Sequence, residues 1–505
     1  MNVLRVHAYR FSGQLLAVSL FAGLAFAPWA FGTTQPWSIA TLNVLGTLAG
    51  AATLLRYGLQ PRLSGGRPDR VARILAGLNL ALLLYEIVAA INAQSRYDHW
   101  TQAFVPRAHW SGLPASLDPA TGWFWLWRDL ALSGFFWATR SWLLTAEMGR
   151  GWSKRSLRPR PVNRSRLRKL IWFGVLNGSA LALVGLIQRY TADGALLWLV
   201  KPAINQAPTA QFGPYAYRSN AMQYLSMLWP LGLGLWGTQS TSSRVPRKKA
   251  TSWLLPGLSL FLITCLFLSH SRMAALVGLA GWLAAGALIA PLAFRRQIPG
   301  AKLMLGALLA ALVAGLWAGH DWMTLRLAGE GLADHERLLL REAGWRMVRE
   351  YPVYGTGPGT FAIVHQFYLA GQTWYAQMHC DYLEILATFG WIGTLPLLGG
   401  LLFLLIGLLM VKSRDRLLAG FILIALLGCL AHASMDFPFQ IYSTTHLFVI
   451  ISALASTLAW TGRRFGLPFT SKAPRERPGP GQETNHLSTA SAIKNSSPPA
   501  DHPAP

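Results

Sequence analysis

Apolar runs of about 20 residues recur along almost the whole chain, and this repetition limits the folds that the sequence can adopt. A helix of about 20 apolar residues is long enough to span the hydrocarbon core of a bilayer. Apolar residues make up 52% of the chain and charged residues only 13%, against about 25% charged in ordinary globular proteins. The sequence therefore predicts an all-α, polytopic integral membrane protein and argues against several soluble domains.

Twelve stretches are apolar enough to be predicted as transmembrane helices. Their approximate bounds are 11–32, 37–55, 71–91, 122–146, 169–188, 219–237, 252–270, 273–294, 303–320, 385–411, 417–434 and 441–460. The first stretch has some features of a signal peptide, because Arg5 and Arg10 precede it and Ala25-Phe26-Ala27 resembles a cleavage site. We favour an uncleaved first span, since its apolar run is long for a signal peptide.

The basic residues are divided unevenly between the loops, and the division predicts the orientation. With the N-terminus in the cytoplasm, the cytoplasmic segments hold 32 of the 45 Lys and Arg residues and the periplasmic segments hold 11. The other two, Arg128 and Arg140, lie within a span. Cytoplasmic loops of membrane proteins carry such an excess. We therefore expect a multi-pass inner-membrane protein with both termini in the cytoplasm.

The net charge of +25 would suggest a nucleic-acid partner in a soluble protein. Here the basic residues lie in short loops between apolar runs, so we expect contact with anionic membrane lipids and not with nucleic acid. The three cysteines, Cys265, Cys380 and Cys429, give neither a disulfide framework nor the spacing of metal ligands.

This orientation leaves one large periplasmic loop, about 321–384, between the ninth and tenth spans. Within it, Leu338, Trp345 and Val348 recur at helical spacing beside Arg and Glu residues. That pattern predicts an amphipathic helix on the outer membrane face. Pro352 and the glycines that follow it should end this helix.

The domain organisation follows from composition. Residues 1–464 are predicted to form one transmembrane domain. Residues 465–505 are rich in Pro, Ser, Asn and Gly without periodicity, so we expect a disordered cytoplasmic tail.

The conspicuous polar residues fall on the predicted periplasmic side. They are Arg218 ahead of the sixth span, Arg272 in a short turn, Arg337 and His379 in the large loop, and Asp436 in the last periplasmic turn. Arg binds phosphate oxygens bidentately, and His takes up a proton near neutral pH. A group of arginines with one imidazole and one carboxylate therefore suits an anionic, lipid-linked substrate.

Each of these residues also has a structural interpretation. Arg218 and Arg272 could extend to the lipid headgroups from the ends of spans. His379 could be a structural loop histidine or a helix cap. Arg337 could belong to a solvated Glu/Arg face, and Asp436 could be an N-cap or the ion-pair partner of an arginine.

Four segments between about residues 210 and 460 occur in a recognisable order. They are Ser271-Arg272 opening a span; Arg337 and a helix leading to Tyr351-Pro-Val-Tyr-Gly-Thr-Gly-Pro-Gly-Thr-Phe361; His379-Cys-Asp-Tyr382 through Gly393; and His432 through Gln440. In these segments the chain resembles the O-antigen ligase and O-antigen polymerase superfamily of membrane glycosyltransferases.

The resemblance implies a twelve-span enzyme that moves a glycan from an undecaprenyl-pyrophosphate carrier to a periplasmic acceptor such as lipid A-core. It implies no nucleotide sugar or ATP, because the pyrophosphate leaving group supplies the driving force. It also implies no metal or other cofactor, because the family is regarded as metal-independent. His379 matches the proposed general base, and Arg272 and Arg218 match arginines that hold the pyrophosphate. Arg337, Asp436 and Tyr382 are predicted to contact the substrate.

The sequence departs from the superfamily pattern in two places. Cys380 follows His379 where many members have Asn, and Tyr217-Arg218-Ser219-Asn220 replaces a segment of the commoner Asn-Pro-Asn type. Because of the second departure, the match at Arg218 is weaker than the matches at Arg272 and His379.

Several functions stay open at this point. A ligase, a polymerase and a protein O-oligosaccharyltransferase share this chemistry and differ only in the acceptor. A transporter of a lipid-linked or anionic substrate is the alternative of another class. A transporter should have functional polar residues near the middle of the membrane, whereas the candidates here cluster on one face, which favours an enzyme.

Overall fold

The structure is a computed structural model that describes residues 3–59, 70–144, 162–240, 249–295, 300–327, 331–369, 374–411 and 415–459. Within these residues it contains fourteen α-helices and one antiparallel sheet of two strands. The helices are α1 (Val3–Trp29), α2 (Pro36–Leu59), α3 (Arg70–Ile91), α4 (Pro119–Leu144), α5 (Arg164–Thr191), α6 (Arg218–Ser240), α7 (Lys249–Leu268), α8 (Arg272–Phe294), α9 (Ala301–Leu327), α10 (Gly331–Glu350), α11 (Phe361–Val364), α12 (Asp381–Leu409), α13 (Arg416–Ala433) and α14 (Tyr442–Leu458). The strands are β1 (Ser95–Asp98) and β2 (Ala103–Pro106).

Each of the twelve predicted spans coincides with one of the helices α1–α9 and α12–α14. Among the described residues, seven helices are long and apolar enough to cross a membrane, namely α1, α2, α3, α5, α8, α12 and α13. Shorter apolar helices lie within α7, α9 and α14. The all-α, polytopic class is therefore confirmed, while the number of crossings and the predicted tail, which lies outside the described residues, stay predictions.

Helix α6 lies inside the bundle, because every residue from Arg218 to Thr238 is buried. Helices α5, α7, α13 and α14 pack around it. A helix enclosed by protein can carry polar side chains within the membrane, since these face other helices and not lipid. Ser219, Asn220 and Gln223 occupy its first two turns, and this end of α6 contributes to the site described below.

The helix predicted in the large loop is present as α10, and it ends at Glu350, just before Pro352. Its Met347 and Val348 side chains are buried, whereas Trp345 remains 50% exposed. The buried face packs on α12 and forms an apolar cluster with other residues of the loop, among them Phe361 and Met378. The position of α10 on the outer membrane face stays a prediction.

A short hairpin formed by β1 and β2 was not predicted. Ser95 pairs with Pro106 and Asp98 with Ala103. The strands are four residues long, too short to produce a clear alternating pattern in the sequence.

Helix α12 is broken at Gly390, where φ is 61° and ψ is −172°. The segment after α10 supplies partners for the backbone groups that the break releases. The Trp391 N–H donates to the Pro352 carbonyl over 2.9 Å, and the Gly357 N–H donates to the Thr388 carbonyl over 2.9 Å. Irregular backbone at membrane depth persists only where the protein satisfies it. The glycine- and proline-rich run is therefore the structural partner of this break.

Tyr85 of α3 also hydrogen-bonds to the backbone around this break. Its hydroxyl lies 2.5 Å from the carbonyl oxygen of Tyr354 and 3.0 Å from that of Phe389. The break is thus held by two distant parts of the chain.

Gly390→Ala is expected to destabilise the protein by about 3 kcal/mol, because this backbone region is open almost only to glycine. An added Cβ would also lie 2.4 Å from the carbonyl oxygen of Val353. The midpoint of thermal unfolding in detergent should fall by a few degrees. Gly286→Ala is the matched control, because a Cβ there meets nothing within 4 Å. An unchanged midpoint for Gly390→Ala would contradict the broken geometry.

Candidate functional site

His379 lies against Asp436, which comes from the turn between α13 and α14. The His379 Nδ1 atom is 3.4 Å from the Asp436 Oδ1 atom, and the two side chains are 25% and 4% exposed. This contact is longer than a good hydrogen bond, as catalytic contacts often are before a substrate binds. The arrangement is an accessible imidazole backed by a buried carboxylate, which can orient the ring and stabilise its protonated form.

Asp436 also connects to the starts of two helices. The Ser219 hydroxyl donates to the Asp436 Oδ2 atom over 2.6 Å, and the Ser271 Oγ atom lies 3.5 Å from the Ser219 Oγ atom. Ser219 follows Arg218 in α6, and Ser271 precedes Arg272 in α8. The row from His379 through Asp436 and Ser219 to Ser271 therefore brings both predicted arginine segments to the predicted histidine.

Ser271 is the N-cap of α8, and its Oγ atom accepts a hydrogen bond from the Ala274 N–H over 3.4 Å. Arg272 is the first residue of this helix and is half-buried. The N-terminus of a helix carries a partial positive charge that favours anions. Arg272, as the first residue of α8, adds a positively charged side chain to this end of the helix.

Arg218 and Arg337 share one neighbourhood around Tyr217. Arg218 is buried and donates from Nη1 to the Thr209 carbonyl over 2.5 Å. Burial first, and then the Asp436 carboxylate, raises the pKa of the Tyr217 phenol, while the guanidinium groups of Arg337 and Arg218 counter part of the rise. Helix α10 thus brings Arg337 within electrostatic range of the residues that surround Asp436.

The backbone around His379 is fixed from both sides. His379 has a φ of 58°, a left-handed conformation that is unfavourable for a residue with a side chain. The Met378 N–H donates to the Glu384 Oε2 atom over 2.9 Å. The Asp381 Oδ2 atom accepts from the Phe439 N–H over 2.8 Å. The His379 segment and the turn that carries Asp436 therefore hold each other in place.

Tyr382 occupies a different position from the other candidates. Its hydroxyl donates to the Leu430 carbonyl over 2.6 Å and ties α12 to α13. The ring remains 46% exposed. The structure does not bring the Tyr382 hydroxyl into the row of His379 and Asp436, so a contact with substrate would use the face of the ring.

Arg189, near the end of α5, was missed by the sequence reasoning. Its Nη1 atom donates to the carbonyls of Leu268 and Ser269 over 3.3 and 3.2 Å, and its Nη2 atom lies 2.7 Å from the His270 Nδ1 atom. It therefore holds the turn just ahead of Arg272. The sequence does contain a signal for Arg189, since it is a basic residue at the end of a span on the predicted periplasmic side.

The chemistry that this arrangement offers is proton transfer at His379, next to the helix starts that carry Arg218 and Arg272. Among the described residues, no group of three or more His, Cys, Asp or Glu side chains is placed to hold a metal ion. His379 can accept a proton, Asp436 can stabilise the resulting imidazolium, and the nearby arginines can bind an anion.

Residues 257–398 match the family described as O-Antigen ligase. A comparison with curated proteins found no match. The matched stretch contains Arg272, Arg337, His379 and Tyr382, whereas Arg218 and Asp436 lie outside it. The match confirms the resemblance that the sequence motifs predicted.

Proposed function

We propose that this chain, whose residues 257–398 match the O-antigen ligase family, transfers a glycan from an undecaprenyl-pyrophosphate carrier to an acceptor hydroxyl at the periplasmic face of the inner membrane. The family indicates glycosyl transfer of the ligase or polymerase kind. The observation that carries the proposal is the His379–Asp436 pair beside Ser219 and Ser271. A surface glycolipid such as lipid A-core is the acceptor that we favour.

His379 acts as the general base in this proposal. Its Nδ1 atom faces Asp436, so Nε2 is the nitrogen that takes the proton of the acceptor hydroxyl. The acceptor oxygen attacks the anomeric carbon of the donor sugar as the bond from that carbon to the pyrophosphate oxygen breaks. The transfer inverts the anomeric configuration, and Asp436 stabilises the imidazolium that forms.

Arg272 and Arg218 stabilise the negative charge that grows on the leaving pyrophosphate. Guanidinium groups bind phosphate oxygens in pairs of charge-assisted hydrogen bonds. Arg337, on α10, adds a third positive charge close enough to influence the Tyr217 phenol, which Asp436 also influences. The proposal needs no nucleotide, because the donor already carries undecaprenyl pyrophosphate as its leaving group. It needs no metal, because the guanidinium groups stabilise the charge that grows on that leaving group.

Reconstitution tests this function. The purified full chain is placed in liposomes with a lipid-linked oligosaccharide and, separately, a glycolipid acceptor, a second carrier-linked glycan or a protein acceptor. Mass spectrometry then detects the glycosylated acceptor and the released undecaprenyl pyrophosphate. The acceptor that is modified distinguishes a ligase from a polymerase or a protein glycosyltransferase. Movement of the lipid-linked glycan across the bilayer, without transfer to any acceptor, would overturn the proposal in favour of a transporter.

Asp436→Asn is expected to lower kcat by about 10–10² fold, because Asn preserves the shape of the side chain but removes the charge behind the imidazole. Asp193→Asn is the control, since Asp193 is 74% exposed and pairs with Lys201. Initial rates in the reconstituted assay give the comparison. A wild-type rate in Asp436→Asn would remove this carboxylate from the mechanism.

A further inference from the structure

A cavity of about 410 Å³ lies between the β1–β2 hairpin and the end of α10. Leu117 and Val364 line it and are both buried. They belong to the same apolar cluster as Met378, the residue before His379. Pockets that bind small molecules typically measure about 300–1,000 Å³, so this cavity has the size of a ligand site. The cavity and the His379 segment are also packed on the same apolar cluster.

Aromatic side chains form much of the cavity wall. They are Phe104, Tyr351, Phe367 and Tyr368. The Phe104 and Phe367 rings lie 5.2 Å apart between centroids at an angle of 43°, and Phe367 is 53% exposed. Aromatic side chains are rigid and offer electron-rich faces to C–H groups. One face of a sugar ring presents such C–H groups.

Polar groups of both charge signs also line the cavity. They come from Gln94, Arg107, His109 and Glu350. The Tyr368 hydroxyl donates to the Glu350 Oε2 atom over 2.5 Å, and the Arg107 N–H donates to the Gln94 carbonyl over 2.8 Å. Planar amide, carboxylate and guanidinium groups can bind neighbouring hydroxyls in pairs. An apolar lipid chain in this cavity would leave these polar groups without hydrogen-bond partners.

We propose that this cavity is a saccharide-binding subsite. It holds sugar units of the glycan while the bond forms at His379, so that binding energy remote from the reacting carbon helps to position the substrate. The inference rests on the proposed function, since glycosyl transfer is what brings a saccharide to this side of the protein. The sugar units come from the carrier-linked glycan or from the acceptor glycolipid, and both have the same recognition chemistry.

A direct binding measurement tests the subsite, because it does not require the enzyme to catalyse transfer. Saturation-transfer NMR is recorded on the full chain in lipid nanodiscs with two water-soluble probes from the host cell. One is glycan released from the lipid carrier, and the other is oligosaccharide released from the surface glycolipid. We expect one probe to bind, and Phe367→Ala and Arg107→Ala each to raise its Kd by about threefold to tenfold. The probe that binds identifies the source of the saccharide.

Two controls separate this inference from the proposed function. Trp100→Ala alters a side chain that is 97% exposed in the turn of the same hairpin, and it should leave the Kd unchanged. His379→Ala should bind saccharide like the wild type while it loses transfer. Absence of binding to either probe, or an unchanged Kd in both cavity variants, overturns the subsite even if transfer is normal. Binding without transfer by the wild type would instead overturn the proposed function.

Discussion

His379→Ala is expected to lower the rate of glycan transfer by about 10²–10⁴ fold, the usual contribution of a positioned general base. The side chain is 25% exposed and rests on Asp436, so its removal opens no large cavity in the core. The amount of folded protein should therefore stay close to that of the wild type. Initial rates with the lipid-linked oligosaccharide and its acceptor measure the effect.

His7→Ala controls for the loss of any histidine, since His7 is exposed near the start of α1. Added imidazole should restore part of the rate in His379→Ala, because a soluble base can occupy the vacated position. Gel filtration and thermal unfolding verify the fold. A His379→Ala rate within threefold of the wild type would show that another group removes the proton.

Arg272→Ala is expected to lower kcat by about 10²–10³ fold, which is typical for the loss of one group that stabilises charge in the transition state. Arg272 begins α8 directly after Ser271, whose hydroxyl is part of the row that leads to Asp436. Arg272→Lys keeps the charge but loses the bidentate fork. Its rate should therefore lie between those of the wild type and the alanine variant.

Arg295→Ala is the matched control for Arg272→Ala, because Arg295 is the exposed C-cap at the other end of α8. The separate values of kcat and KM decide between two roles. A higher KM with an unchanged kcat would mean that Arg272 binds the substrate and its transition state equally. That outcome would contradict a role in stabilising the leaving group.

The helices could be predicted from the sequence because hydropathy over about 20 residues is a local property. All twelve predicted stretches coincide with helices, and α10 ends at Glu350, just before Pro352. The break at Gly390 could not be foreseen, since it depends on the distant backbone of Pro352 and on Tyr85. The hairpin was missed because its strands are too short to show a pattern.

The site was predictable only in its general location. The predicted orientation put Arg218, Arg272, His379 and Asp436 on one face, but no local pattern indicates which side chains meet. Ser219 and Asp436 are 217 positions apart, and the packing of α6 against α13 decides their contact. The position of the Tyr382 hydroxyl could not be predicted for the same reason, because it donates a hydrogen bond to the backbone of α13, a different helix.

The order of His379 and Asp436 in the sequence has a consequence for biosynthesis. His379 emerges from the ribosome earlier, and its carboxylate arrives only with the turn between α13 and α14. A nascent chain that has inserted only as far as α12 therefore carries His379 without the carboxylate that lies beside it in the finished fold. We expect such unfinished molecules to be inactive, so that activity requires the insertion of α13 and of the turn that follows it.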